Sequence, residues 1–349
     1  MTKVAIIIVT MNRPDFLLRQ FEFYEQMDSP HPVYISDSSN PENAEKIKNG
    51  IKKFKNFNII YQWAEPGKDC SYQLMPLIKE KYCMRMGDED IIIPKTISEC
   101  ADFLENNPDY ATCAGRQVNI RFRKQDYSKP YGIIEKQTIL QSISIEDEKM
   151  SVRVKKFWFD EFFFFICYAV TRVEIEKEMR NVTKHFSLTE DMLEFLILSI
   201  LLISGKAKVI DKLGYIMQVS DLRSFDHSLL FDFMLSPSLN EKWGLCGKEF
   251  SQIIRKTGAS EEESVIIAKG LFIHYLAAHH PIEPGWLSSG QKESAPTRQS
   301  IFKKLRHFAS NTPFLKSIYY KFTPPNYVDR PESKYFNDFK IVKDFLEKN

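Results

Sequence analysis

The chain lacks the marks of a small secreted, metal-stapled or membrane-spanning protein. Its 349 residues include only six cysteines, Cys70, Cys83, Cys100, Cys113, Cys167 and Cys246, with no Cys-x-x-Cys pair and no histidine at zinc spacing. That pattern excludes a zinc ribbon and gives no disulfide framework, so the cysteines read as reduced thiols of a cytosolic protein. Long apolar runs are missing too: Phe195 to Ile203 falls well below the ~20 residues a bilayer demands. Val4 to Val9 is too short for the apolar region of a signal peptide and has no small-residue cleavage site after it. Nor is there an excess of one charge, since 48 basic residues against 46 acidic ones leave a net +2 and no global pull toward nucleic acid. What is present, 43% apolar and 27% charged residues, suits a folded globular chain, and the length suggests about two domains.

The first hundred residues alternate. Val4 to Val9 is β-branched nearly throughout without an in-out rhythm, as in a strand covered on both faces. Asn12 and Pro14 then open a helix over Phe16 to Met27, whose Phe16, Leu17, Phe21 and Tyr24 share a face. The pattern repeats with a strand at Val33 to Ile35, a helix from Pro41 to about Phe54, and a strand over Phe57 to Trp63. A helix over Tyr72 to Lys81, a strand over Tyr82 to Met86 and a helix from Pro94 to Asn106 complete it. Such alternation predicts a doubly wound α/β domain with a mostly parallel sheet. Beyond Arg116 the chain reads as less regular: a core strand within Phe157 to Val170, a helix over Thr189 to Ser204, and two short strands over Lys206 to Val219. Helices dominate from about Ser220, including a pair within Ser251 to Ala278, so the expected units are 1–220 and a mainly helical 221–349.

In sheets of this kind ligands gather beyond the carboxyl ends of the strands. Three such ends, Thr10 to Arg13, Ser36 to Ser39 and Gly87 to Asp90, are expected to converge. The last of them runs Gly87-Asp88-Glu89-Asp90 straight into Ile91-Ile92-Ile93. An Asp-x-Asp is often only a solvated turn or a helix cap. Here the flanking apolar residues leave the carboxylates little room to reach water, and buried charges without partners are costly. A hard divalent cation, Mg²⁺ or Mn²⁺, shared with the phosphates of a diphosphate ligand is the simplest partner.

These stretches together resemble a glycosyltransferase of the GT-A fold, close to family 2. Ile8-Val9-Thr10-Met11-Asn12-Arg13-Pro14 resembles the opening strand and nucleotide loop, Tyr34-Ile35-Ser36-Asp37-Ser38-Ser39 the acidic loop of the second strand, and Gly87-Asp88-Glu89-Asp90 the metal motif. The resemblance covers about the first two-thirds of the chain. It departs from the family where Met11 replaces a common aromatic residue and Ser36 the first acid of a frequent pair. What it implies is a nucleotide-sugar donor, with Thr10, Asn12 and Arg13 near the nucleotide and Asp37 on the base. Asp88 would face ribose or metal and Asp90 would bind the metal. Lys68 is a further phosphate contact, its plainer reading being a solvated loop lysine.

The resemblance also includes an acid-Asp pair downstream, matched by Glu190-Asp191 at the start of a helix. Acids in a first helical turn need no chemistry to explain them. Transfer with inversion, however, needs a carboxylate to take the acceptor's proton, which makes Asp191 the expected base and Glu190 its orienter or an acceptor contact. Arg223 and His227 follow the last strand, and the resemblance makes them candidate contacts of the diphosphate or the metal, the plainer reading of a lone histidine being a surface or packing residue. Trp158 and Asp160 are acceptor contacts to test. Residues 298–322 interleave basic and aromatic side chains, which suits a solvated basic face or an interfacial helix on anionic lipid.

The expectation is therefore a metal-dependent, inverting glycosyltransferase of surface polysaccharide biosynthesis, with a glycan or lipid-linked acceptor and no nucleic acid. It would be cytoplasmic, peripheral at the inner membrane face if 298–322 meets lipid, and open to homo-oligomer formation. Two alternatives stand beside it: a nucleotidyltransferase, which would want a glycine after the first strand, and a non-catalytic partner in glycan assembly.

Overall fold

The computed structural model describes residues 1–66, 70–123, 129–140, 142–157, 166, 168–184, 191–219, 237–279 and 328–348. Strand β1 (Val4–Thr10) lies between β2 (Val33–Asp37) and β4 (Tyr82–Gly87), and β3 (Ile59–Trp63) flanks β2; all these pairings are parallel. Helix α1 (Pro14–Gln26) crosses from β1 to β2, and α2 (Pro41–Gly50) from β2 to β3. The sheet continues through β8 (Val170–Arg172), β6 (Tyr110–Phe122), β9 (Lys206–Gln218) and the short β5 (Ile91–Ile92), with β7 (Ile134–Ile139) paired to β6. Only β6 and β9 are parallel here; β4 to β8, β8 to β6, β6 to β7 and β9 to β5 are antiparallel. The fold is the expected mixed α/β type with a mostly parallel, doubly wound first half.

Both faces of β1 are covered, which is why its sequence does not alternate. Ile6 and Ile8 join Leu17, Phe21 and Tyr24 of α1 on one face, while Ala5 and Ile7 meet Leu74, Met75 and Ile78 on the other. Each Ile, Leu, Met or Phe side chain taken from water here contributes roughly 1.5–3 kcal/mol.

Several elements differ from the sequence reading. The helix expected over Tyr72 to Lys81 is only α3 (Ser71–Leu74) followed by a 3₁₀ turn, Met75–Leu77, because Pro76 has no N–H for a continuing helix. Residues 110–122 form one 13-residue strand, and Lys206–Gln218 is a second, not two short ones. Gly115 and Gly214 face each other where the two strands cross: a Cβ at Gly115 would lie 2.8 Å from the Gly214 Cα. Register shifts on either side of Arg116 absorb the bend. Of the aromatic stretch 157–170, the described strand is Val170 with the following Thr171 and Arg172.

Beyond α4 (Pro94–Asn106), a second core gathers α5 (Met150–Lys155), α6 (Val173–Thr183), α7 (Asp191–Ser204) and the helices Pro237–Arg255 and Glu261–His279. Apolar nearly all round, α7 is buried from Phe195 to Ile203, and Phe195 packs on Phe250 and Phe272, ring centroids 6.0 and 5.6 Å away. The last helix, Phe336–Leu346, belongs to 221–349 in the sequence reading, yet it packs into the N-terminal core. Phe345 meets Phe23 at 5.1 Å, and Asp211 of β9 binds Arg116, Lys334 and Tyr335. Cys70, Cys83, Cys100 and Cys113 are buried. Among the described residues no helix is long and apolar enough to cross a membrane.

Candidate functional site

The ends of β1, β2 and β4 are tied to one another by side chains. Thr10, last in β1, donates its hydroxyl to Asp88 Oδ2 at 2.7 Å, and its carbonyl accepts from the Ser38 N–H at 3.0 Å. Asn12 sits at φ +59°, a left-handed conformation that asparagine tolerates. Its N–H donates to Ser39 Oγ at 2.7 Å, and its Oδ1 accepts from the Asn40 N–H at 2.9 Å and Asn43 Nδ2 at 3.3 Å. The side chain of Asn12 is thus spent on the start of α2, where Asn40 caps the helix. Asp37 closes β2 fully buried, its Oδ1 accepting from the Ser39 N–H at 2.8 Å and its Oδ2 from the Tyr61 hydroxyl at 2.5 Å. That hydroxyl is pushed to a higher pKa, first by burial and then by Asp37.

Asp88, Glu89 and Asp90 form the turn between β4 and β5, and both aspartates are only 4% exposed. They face different ways. Asp88 turns to the β1 end, with Oδ1 3.0 Å from Arg13 Nη1. Asp90 turns to β9, where Oδ1 accepts from the Gln218 N–H at 3.1 Å and Oδ2 from the Tyr215 hydroxyl. Burial pushes the Asp88 carboxyl up to about 6, against the pull of Arg13. It pushes Asp90 up to about 7, with Glu89 adding to the rise.

Two arginines answer the three acids. Arg13, before the first turn of α1, binds Asp88 and also Glu89, 2.5 Å away, with its guanidinium 4.1 Å from the Phe16 ring centre. Arg19 is 1% exposed and passes beneath the turn, donating to the Glu89 and Pro130 carbonyls and to Gln218 Oε1 at 2.8 Å. Its burial brings it down to about 10, while Asp90 opposes the shift. Beside it, Gln20 donates to the Gly87 and Asp90 carbonyls at 2.6 and 2.7 Å, and its Oε1 finds no partner among the described residues.

Arg19, Gln20, Tyr215 and Gln218 were not among the residues that sequence reasoning singles out. One signal was there for Arg19: it lies three residues after Phe16 and four before Phe23, so a charged residue shares the apolar face of α1. Tyr215 and Gln218 give no local signal, because they reach the acids only through the pairing of β9 with β5.

Of the expected site residues, the structure brings Thr10, Arg13 and Asp88 into direct contact and sets Asp90 across the turn. Asn12 and Asp37 stand on the adjoining strand ends. Asp191 begins α7, and its side chain lies outside the described residues, as do Lys68, Trp158, Asp160, Glu190, Arg223, His227 and the basic aromatic segment 298–322.

Among the described residues no group of three or more His, Cys, Asp or Glu side chains is placed to hold a metal ion. Mg²⁺ needs fewer, for it is held by one or two carboxylates together with substrate phosphates and water. Asp88 and Asp90 offer hard oxygens, each accepting one bond and keeping a second lone pair, and the turn holds three acids over two guanidiniums. On donor chemistry the residues fit a divalent cation that a ligand helps to coordinate.

Fold and site together define an α/β protein of the doubly wound class with an acidic turn at the ligand-binding ends of its strands. No family model and no curated protein matches the chain. Among solved structures it is similar to S. aureus TarS 1–349 in complex with UDP-GlcNAc, at 13% identity over 91% of this chain and 83% of that one, TM-score 0.48. It is also similar to TarS 1–349 in complex with UDP, at 12% identity over 100% and 90% of the two chains, TM-score 0.47.

Proposed function

We propose that the chain is a glycosyltransferase that takes a sugar from a nucleotide-diphosphate donor and passes it, with inversion, to a hydroxyl of a glycan or lipid-linked acceptor in surface polysaccharide biosynthesis. The observation that carries this reading is the joining of three parallel strand ends around buried acids: Thr10 to Asp88, Arg13 to Asp88, and the Ser38 N–H to Thr10. Doubly wound sheets bind nucleotides at such ends. The resemblance of these same stretches to GT-A enzymes supplies the reaction.

Asp88 and Asp90 would hold Mn²⁺ or Mg²⁺, with His227 as a further ligand; when bound, the cation neutralises charge gathering on the leaving diphosphate. Asp37, fixed by Ser39 and Tyr61, keeps lone pairs to accept from the base. Thr10 and Arg13 line the path to the phosphates, with Lys68 and Arg223 as further contacts. Asp191 takes the acceptor's proton and Glu190 orients it, work that a positioned carboxylate does as the new bond forms.

Calorimetric binding of UDP-, GDP-, CMP- and dTDP-linked ligands, with and without Mn²⁺, tests the reading. The panel includes UDP-GlcNAc, which the TarS structure holds. Metal-dependent binding of one nucleotide class, lost in Asp90→Ala, is the expected result. Binding of none would sink the proposal and leave a non-catalytic partner of glycan assembly.

A further inference from the structure

The two guanidiniums at the acidic turn are held very differently. Arg19 is 1% exposed, and its acceptors are the Glu89 and Pro130 carbonyls and the Gln218 side chain, none of which carries charge. It is part of the framework and cannot leave without opening the core. Arg13 is about one-third exposed along its side chain, and its hydrogen-bond and ion-pair partners are the carboxylates of Asp88 and Glu89, at 3.0 and 2.5 Å. Beneath it the ring of Phe16, whose centre is 4.1 Å away, gives a flat rest from which it can lift.

Asp88 Oδ1, which Arg13 occupies, is an oxygen of the kind a hard divalent cation takes, and one position cannot hold both that cation and a guanidinium. On this basis we infer that Arg13 is an exchangeable resident counter-ion: it occupies Asp88 and Glu89 in the free protein, yields Asp88 to a divalent cation, and then turns its released N–H groups to a phosphate of the incoming nucleoside diphosphate. Guanidinium suits both postures, because its planar fork matches carboxylate and phosphate alike. The cation brings two positive charges where Arg13 withdraws one, which suits a turn about to receive a diphosphate, and Arg19 stays as the fixed part of that balance. The inference rests on the reading of the turn as a cation and diphosphate site, and adds that the cation must compete with a residue of the chain itself.

The probe is Mn²⁺ alone, followed by electron paramagnetic resonance on the full chain without nucleotide. Arg13→Gln is expected to bind Mn²⁺ up to about fivefold more tightly than the parent, the size of effect a partly exposed charge pair of good geometry carries. Arg13→Lys, which keeps the charge but loses the fork, should fall between the two. Unchanged or weaker Mn²⁺ binding in Arg13→Gln, with a parental circular dichroism spectrum, would overturn the inference, as would an absence of Mn²⁺ binding in all three proteins. If Arg13→Gln does not fold, Arg13→Lys carries the test, and no tightening there overturns it. At saturating Mn²⁺, Arg13→Gln should also bind a nucleoside diphosphate more weakly, and equal or tighter binding counts against the inference. Mn²⁺ tightening in a protein that binds no nucleotide would leave the counter-ion role standing and remove the donor reading. Normal nucleotide binding without tightening would do the reverse.

Discussion

The two halves of the sheet are built on different plans. On the side of β3, β2, β1 and β4, each strand is parallel to its neighbour and the chain returns over a face of the sheet. On the side of β8, β6, β9 and β5 the pairing is mostly antiparallel, and two 13-residue strands run through a glycine crossing. The acidic turn sits at the seam. Asp88 is held by the first half, through Thr10 and Arg13, and Asp90 by the second, through Tyr215 and the Gln218 N–H. Two carboxylates two residues apart are therefore positioned by independent frameworks, and their separation is set by how the halves meet.

The sharpest way to break that arrangement is to remove the buried charge that spans it. Arg19→Met keeps the bulk of the side chain but leaves Gln218 and the Glu89 and Pro130 carbonyls without their donor, and removes a buried cation whose charge Asp90 feels. A loss of about 3 kcal/mol is expected, in the range for deleting one member of a buried charged network, read as a lower urea midpoint. A variant as stable as the parent would mean that the two halves do not depend on this link. Next in size is Gly115→Ala, where the added Cβ would meet the Gly214 Cα and the Lys212 carbonyl, both at 2.8 Å. Backbone on the far side cannot give way as a side chain can, so about 2 kcal/mol should be lost. In the parallel half Gly50→Ala meets only the Leu18 side chain, and should stay within about 1 kcal/mol of the parent. Equal effects in the two variants would erase the distinction between the crossing and the helix end.

The same division governs what could be read in advance. The parallel half follows from short-range signals: apolar runs of three to six residues, Pro14, Pro41 and Pro94 at helix starts, and polar loops at strand ends. Its one error there, the overlong helix after Tyr72, came from passing over Pro76. In the other half β6 reads as irregular, because Gly115, Arg116 and Gln117 interrupt its apolar pattern; what makes it a strand is its pairing with β9, about a hundred residues away. The last helix gives no local sign that Phe345 will reach Phe23. Asp88 and Asp90 stood out as acids among apolar residues. Arg19, Tyr215 and Gln218, which hold them, did not, since their roles depend on contacts distant in sequence.

The smallest expected effect separates the two carboxylates by pH. An acid whose native pKa lies above its unfolded value, ~3.9 for aspartate, binds a proton more readily in the native state. The stability it contributes is complete below that unfolded value and is lost as pH rises through the native one. Asp88 stands at about 6 and Asp90 at about 7, so in protein kept metal-free by a chelator both should favour the fold as pH falls from 8 to 6. The gain should be on the order of 1 kcal/mol, most of it from Asp90, whose native pKa lies inside the interval. His31 works the other way: burial lowers its pKa, so acidification through ~6.5 charges it first in the unfolded chain and costs stability. Comparison with Asp90→Asn cancels His31, which is present in both proteins, and isolates the carboxylate. Urea melts at pH 8, 7 and 6 should give a smaller acid-side gain in Asp90→Asn than in the parent. Identical pH slopes would show that Asp90 ionises as an ordinary carboxylate, and that its place against Tyr215 and Gln218 imposes no cost that a cation could relieve.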